Sequence, residues 1–255
     1  MKHLKTLTAL LLLSSVSHAQ WGTLKGQFLY GKDGTAAPAA SKLTITKDVE
    51  VCGKQPLFNE ELVVNKDNRG LANVLIWADK IKKVHSDYEK TAKDTVVMDN
   101  KLCQFEPRVL AVRTGQTLKV GNSDPVGHNS MITFLSNPQV NPIIPAGGSV
   151  EFTNIKKAER FPVKVSCSIH PWMQGLLVVQ DHPYMAVTDA DGKFELKNLP
   201  AGKLTLKVFH EKSGFLKTLN VDGKSVKLKR GGKYAFEMGS ETVEHTFVVD
   251  PKQFD

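Results

Sequence analysis

Residues 163 to 175 read VKVSCSIHPWMQG, so Cys167, His170 and Met173 bring a thiol, an imidazole and a thioether within seven positions. Side chains alternate along an extended strand, which turns Val163, Val165 and Cys167 to one face and Lys164 and Ser166 to the other. The thiol then reaches the core face at a strand end. Pro171 stiffens the turn that follows, and GLLVVQ (175–180) returns as the next strand. One thiolate, one imidazole and one thioether on a tight turn are three of the four donors of a mononuclear copper site with a trigonal base and a weak axial sulfur. The missing donor is a second imidazole. His128 is the candidate: it follows the turn-rich run Asn122, Ser123, Asp124, Pro125, Val126, Gly127 and precedes Asn129.

Each of these side chains has a plainer use on its own. A cysteine can be an inert core thiol, a methionine can fill a gap, and a loop histidine can be satisfied by backbone. Their combination favours copper. Zinc fits less well, because structural zinc sites rely on cysteine and histidine rather than a thioether. A binuclear copper centre would need a second loop cysteine, where Ser168 and Ile169 stand.

The elements that must position these donors read as strands. KLTITK (42–47), NVLIWA (73–78), RVLAVRTGQTLKVGN (108–122), GLLVVQD (175–181), GKLTLKVF (202–209) and VEHTFVV (243–249) are short, β-branched and bounded by turn formers. No window sustains helical periodicity over three turns, and the polar stretch KKVHSDYEKTAKD (82–94) predicts a long loop or one short helix. The fold class is therefore all-β, of sandwich or barrel type, and the length leaves room for two domains.

Residues 1–19 have the pattern of an export leader: Lys2 and Lys5, the apolar run Leu10 to Leu13, and Ser17-His18-Ala19 as a small-x-small cleavage site. The apolar run is too short to span a bilayer. These features predict an exported, periplasmic or extracellular protein cut after Ala19. Of 34 basic residues against 26 acidic, removal of the two lysines leaves a net charge of +6. The lysines are scattered, which describes a solvated surface rather than a nucleic-acid stripe. Cys52, Cys103 and Cys167 are an odd number for a compartment where disulfides form, so two can pair and one must be held otherwise.

With these residues in view, 105–181 resembles a cupredoxin, the small blue-copper fold. The loop Cys167 to Met173, with two residues in each gap, is most similar to the short ligand loop of the amicyanins. An asparagine after the first ligand histidine, here Asn129, is also a cupredoxin feature. Ile169, where proline is common, and Trp172, in place of a smaller aromatic, depart from the pattern without removing a donor. The resemblance implies one type 1 copper held by His128, Cys167, His170 and Met173, with Asn129 tethering the ligand loops. It implies one-electron transfer, not catalysis, through an exposed edge of His170 inside an apolar patch shared by Pro171 and Trp172, toward a redox protein partner. If copper claims Cys167, then Cys52 and Cys103 pair, closing a loop of about 50 residues for about 4 kcal/mol in the chain-entropy model.

TDADGKFELKNLPAG, with Thr188, Asp189, Gly192, Phe194, Leu199, Pro200 and Gly202, resembles the carboxypeptidase regulatory-like (transthyretin-like) β-sandwich. Asp189 and Asp191 could suggest calcium, but a hairpin turn accounts for them and no downstream acid completes a calcium loop. The expected organisation is a β extension over 20–104 packed on the cupredoxin, the cupredoxin over 105–181, and the second sandwich over 182–255. Two alternatives stand beside electron transfer: an accessory module that binds carbohydrate or the envelope through the cupredoxin shell and second sandwich, its copper vestigial or structural, and a copper-handling protein whose metal is cargo. His85 reads as solvated, His182 as part of the domain joint, and His210-Glu211 as a structural strand-end pair.

Overall fold

A computed structural model describes residues 21–255. The leader read at 1–19 and its cleavage point lie outside the described residues. Among the described residues the fold is all-β, with twenty strands and only short helical turns, and it forms two sandwiches.

The first sandwich holds the donor residues. One sheet runs Ser149–Phe152, Thr117–Asn122, Thr95–Lys101, Gln104–Glu106; the other runs Val109–Arg113, Gln174–Gln180, Val163–Ser166, Met131–Ile132. A two-residue pairing of His128–Asn129 with Ile143–Ile144 closes one end. Between the sheets lies a core that includes Met98, Val112, Leu118, Val120, Val165 and Leu177. This sandwich starts about ten residues before the expected boundary at 105, because Thr95–Lys101 pairs in parallel with Thr117–Asn122.

The second sandwich corrects the expected organisation more deeply. Trp21–Tyr30 does not pack on the first sandwich. It lies between Lys193–Pro200 and Thr242–Val249 in a five-stranded sheet. Leu75–Ala78 likewise pairs with Met185–Val187 and Gly202–His210 in the facing sheet. Leu24, Phe28, Ile76 and Ala78 supply part of that core, so residues 182–255 alone would lack inner strands of both sheets. The first sandwich is thus inserted between segments of the second. Only the middle of the N-terminal region meets the expectation of packing on the first sandwich: Leu43, Ile45, Val51, Cys52 and Leu57 join its core.

The two sandwiches share a third apolar layer. Leu75 and Trp77 face Val109, Leu176 and Val178, while their alternating neighbours Ile76 and Leu177 face the two inner cores. Period-two alternation with apolar residues in every position means that both faces of a strand are buried. Beside this layer, Arg108 donates from Nε and Nη2 to the Glu211 carboxylate at 2.7 and 2.8 Å, joining the sandwiches with a two-pronged ion pair.

The TDADG run forms a turn. Gly192 has φ 76°, and a Cβ there would meet Phe28 O at 2.1 Å, so only glycine fits. Asp191 accepts from Asn65 Nδ2 and Asn68 Nδ2, each at 2.9 Å, and Thr188 Oγ1 donates to Leu71 O at 2.7 Å. These side chains bind the N-terminal segment to the C-terminal one, while Asp189 Oδ1 accepts from Asp191 N and Lys193 N inside the turn. The 82–94 stretch contains a single 3-10 turn, Ser86–Glu89.

Candidate metal centre

Two short strand ends deliver the donors. His128 lies on the two-residue strand that meets Ile144, and Cys167 follows directly on Val163–Ser166. The Cys167–Met173 turn is closed by Cys167 N donating to Met173 O at 3.2 Å and Met173 N donating to His170 O at 2.9 Å. One ligand atom from each of His128, Cys167 and His170 falls within 4.8 Å of the others. His170 Nδ1 is 3.8 Å from Cys167 Sγ, and the two imidazole centroids are 4.5 Å apart. Both histidines have no exposed surface, and Cys167 and Met173 are buried in the same core.

Asn129 ties the two donor segments together. Its Oδ1 accepts from Cys167 Sγ at 3.3 Å, Ser168 N at 2.8 Å and Ile169 N at 3.2 Å, and its Nδ2 donates to Asn141 Oδ1 at 2.6 Å. A side-chain carbonyl with three donors from one turn fixes where that turn begins.

Two carboxylates to which the sequence reading gave no role toward the histidines complete the arrangement. Asp124 Oδ2 is 2.9 Å from His128 Nε2, and Asp48 Oδ2 is 2.8 Å from His170 Nε2. An ionised carboxylate only accepts, so each imidazole donates from Nε2, which in a neutral ring leaves the lone pair on Nδ1. His128 Nδ1 is buried with no hydrogen-bond partner. Burial above all, and then the neighbouring His170, hold the His128 pKa below its usual value against the pull of Asp124, so this ring is neutral near pH 7. A buried lone pair without a donor is costly. Beside a thiol and a second imidazole, it is the fit expected of a metal ligand. Asp124 was within reach of the sequence, four residues before His128. Asp48 had no such signal.

The second His/Cys/Asp grouping, Cys103 with Asp124 and His128, is not a donor set. Cys103 is bonded to Cys52 across 51 residues, with a Cα separation of 5.5 Å, and Cys167 is the free cysteine. The loop pairing implied by the copper resemblance is therefore the one found.

The expected electron-transfer patch is changed. The His170 edge is not exposed: Asp48 covers its Nε2, carried on the segment that the disulfide pins against the first sandwich. Pro171 is exposed, and Trp172 is partly so, with its ring centroid 5.2 Å from that of His170 and its Nε1 donating to Cys103 O at 3.1 Å. His85, His182 and His210 make their contacts elsewhere. His85 caps the 3-10 turn by accepting from Asp87 N, His182 Nε2 meets Ala78 O at 2.9 Å, and buried His210 accepts from Lys212 N at 3.2 Å. Glu211 binds Arg108 across the sandwiches, so both members of the His210-Glu211 pair make structural contacts.

No known protein family profile matches the chain, and no curated protein matches its sequence. Among solved structures, the chain is similar to a copper-containing nitrite reductase from Thermus scotoductus SA-01, at 24% identity over 33% of this chain and 22% of that one, with a TM-score of 0.30. It is also similar to an amicyanin variant in the Cu(I) state, at 22% identity over 33% of this chain and 81% of that one, TM-score 0.30. A purple cupredoxin from Nitrosopumilus maritimus matches at 24% identity over 34% of this chain and 99% of that one, TM-score 0.27. The chain spans about a fifth of the nitrite reductase. No helix among the described residues is long and apolar enough to cross a membrane.

Proposed function

We propose that this is an exported cupredoxin-type protein in which His128, Cys167, His170 and Met173 hold one type 1 copper for one-electron transfer to a protein partner, rather than an enzyme. The observation that carries the reading is the convergence of one thiol and two imidazoles in a buried pocket, with both Nε2 atoms engaged by carboxylates and His128 Nδ1 left without a partner. Copper bound there would supply a Cu(II)/Cu(I) couple. The protein's part is to hold the donors still. Asn129 fixes the cysteine turn, the carboxylates fix both imidazole tautomers, and the surrounding core excludes water. Rigid donors reduce the rearrangement that accompanies a change of one charge.

With the His170 edge covered, Trp172 is the side chain that joins the donor cluster to the surface, flanked by exposed Pro171. Export is supported by the leader-like residues 1–19 and by the Cys52–Cys103 disulfide. A polysaccharide-binding role for the second sandwich remains the alternative raised by its TDADGKF resemblance. Testing it requires the full chain, because a fragment beginning at 182 lacks inner strands.

The deciding experiment is visible absorption and EPR of the exported form after addition of Cu(II), beside Cys167→Ser. The reading expects an intense blue band with narrow copper hyperfine splitting, lost in the variant. A colourless protein, or weak Cu(II) binding indifferent to the substitution, would overturn it.

A further inference from the structure

Asp48 stands at the start of a one-turn helix, Val49–Cys52, where an aspartate ordinarily turns its carboxylate onto the helix N–H groups. Here it makes no such bond. Its backbone carbonyl accepts from Val51 N and Cys52 N, and its carboxylate reaches across the fold to His170 Nε2 at 2.8 Å. Its backbone is left-handed, φ 47° and ψ 45°, a region disfavoured for a residue with a Cβ. His170 is its only ion-pair partner among the described residues. Four residues on, Cys52 is bound to Cys103, and the Cys103 carbonyl in turn takes the Trp172 indole N–H. The aspartate thus forgoes a local cap and adopts a costly backbone, on a segment bonded covalently to the donor sandwich, to meet one imidazole.

We propose that Asp48 is the positioning residue of His170: it fixes the tautomer that leaves Nδ1 free for a metal, and it closes the outer edge of the ring to solvent, small ligands and docking partners. The inference rests on the copper reading and adds to it a residue that no spacing of donors contains. Its counterpart Asp124 is buried and also bonded to backbone, so replacing it would disturb the core. The Asp48 side chain is 33% exposed and can be changed without opening a cavity. Carboxylates that orient ligand histidines typically change metal affinity 10–100-fold when removed. With the edge closed, electrons reach the site beside Trp172 rather than through the imidazole edge.

The test compares the full exported chain with Asp48→Ala, Asp48→Asn and Cys167→Ser. In metal-free protein, nitrogen-15 NMR reads the His170 tautomer. In copper-loaded protein, chelator competition reads affinity, voltammetry reads the midpoint potential, and added azide reads access to the site. The expected results for Asp48→Ala are a mixed His170 tautomer, about 10–100-fold weaker copper binding, a raised potential and a visible band that azide perturbs. Asp48→Asn, which keeps an acceptor at the same place, restores the single tautomer and excludes azide while the raised potential persists. An Asp48→Ala protein with the wild-type tautomer, affinity and potential would overturn the proposal, leaving the copper reading intact. Wild-type protein with no band sensitive to Cys167→Ser would overturn the copper reading instead, and the metal-free tautomer then decides the role of Asp48 alone.

Discussion

Asp124 joins the His128 imidazole to the hairpin that carries the disulfide: one carboxylate lies 2.9 Å from His128 Nε2 and accepts from Leu102 N at 2.7 Å and Cys103 N at 2.8 Å. Leu102 and Cys103 both have positive φ, 55° and 57°, in a two-residue turn of the kind that ordinarily takes Asn-Gly. The carboxylate offsets the cost of that turn and in the same act orients the His128 imidazole.

Asp124→Ala should therefore destabilise the metal-free protein by about 3 kcal/mol, the order expected when two backbone donors lose a charged acceptor. Urea unfolding monitored by circular dichroism measures it. A loss below about 1 kcal/mol would mean that the turn holds without the carboxylate.

Removing the Cys52–Cys103 bond should cost about 4 kcal/mol, since it closes a 51-residue separation in the unfolded chain. The double alanine variant, compared with wild type by chemical denaturation, gives the figure. The variant should also mimic part of the Asp48→Ala behaviour, because the segment that covers His170 loses its anchor. Unchanged azide exclusion in that variant would show that noncovalent packing suffices to hold the cover.

Arg108 and Glu211 link the two sandwiches through a two-pronged pair whose side chains are only 12% and 18% exposed. Such a pair should show a coupling of about 1–3 kcal/mol in a double-mutant cycle of Arg108→Ala and Glu211→Ala. Additive single-variant effects would assign the joint to the apolar layer around Trp77 and Leu176 alone.

Burial, above all, lowers the His210 pKa from 6.5 to about 4. The folded protein therefore resists a proton that the unfolded chain accepts. The stability linked to this group is fully present above pH 6.5, is lost as pH falls toward about 4, and is constant below that. Between pH 7 and pH 4.5 the loss should be about 2–3 kcal/mol. It is read as the difference in the acid dependence of urea midpoints between wild type and His210→Gln. Equal acid dependence in the two proteins would contradict the buried, neutral assignment.

Much of the architecture was legible because strand signals are local. Alternation, β-branched runs and turn residues define a strand over a handful of positions, and NVLIWA and GLLVVQ, apolar at nearly every position, already carried the mark of burial on both faces. What alternation does not contain is the identity of the neighbour. Trp21–Tyr30 reads equally well as a cover for either sandwich; only its registers with Lys193–Pro200 and Thr242–Val249, more than 160 residues away, assign it. Hydrogen-bonding edges of strands are alike, so the choice is made by which side chains fill which core, as Phe28 does against Phe194 and Phe247.

The donor cluster divides along the same line. Cys167, His170 and Met173 stood out as candidates in the sequence because one turn carries all three, and the tether expected of Asn129 came from the cupredoxin resemblance. The disulfide partners were a matter of arithmetic once Cys167 was reserved. Asp48 lies 122 residues from His170, and nothing in the residues around it marks it as more than the start of a short helix. Sequence determines which donors exist and how near they stand along the chain. Whether an imidazole edge meets water or a carboxylate depends on packing between segments far apart in the chain, and here packing closed the edge that the Cys167–Met173 turn alone would leave open.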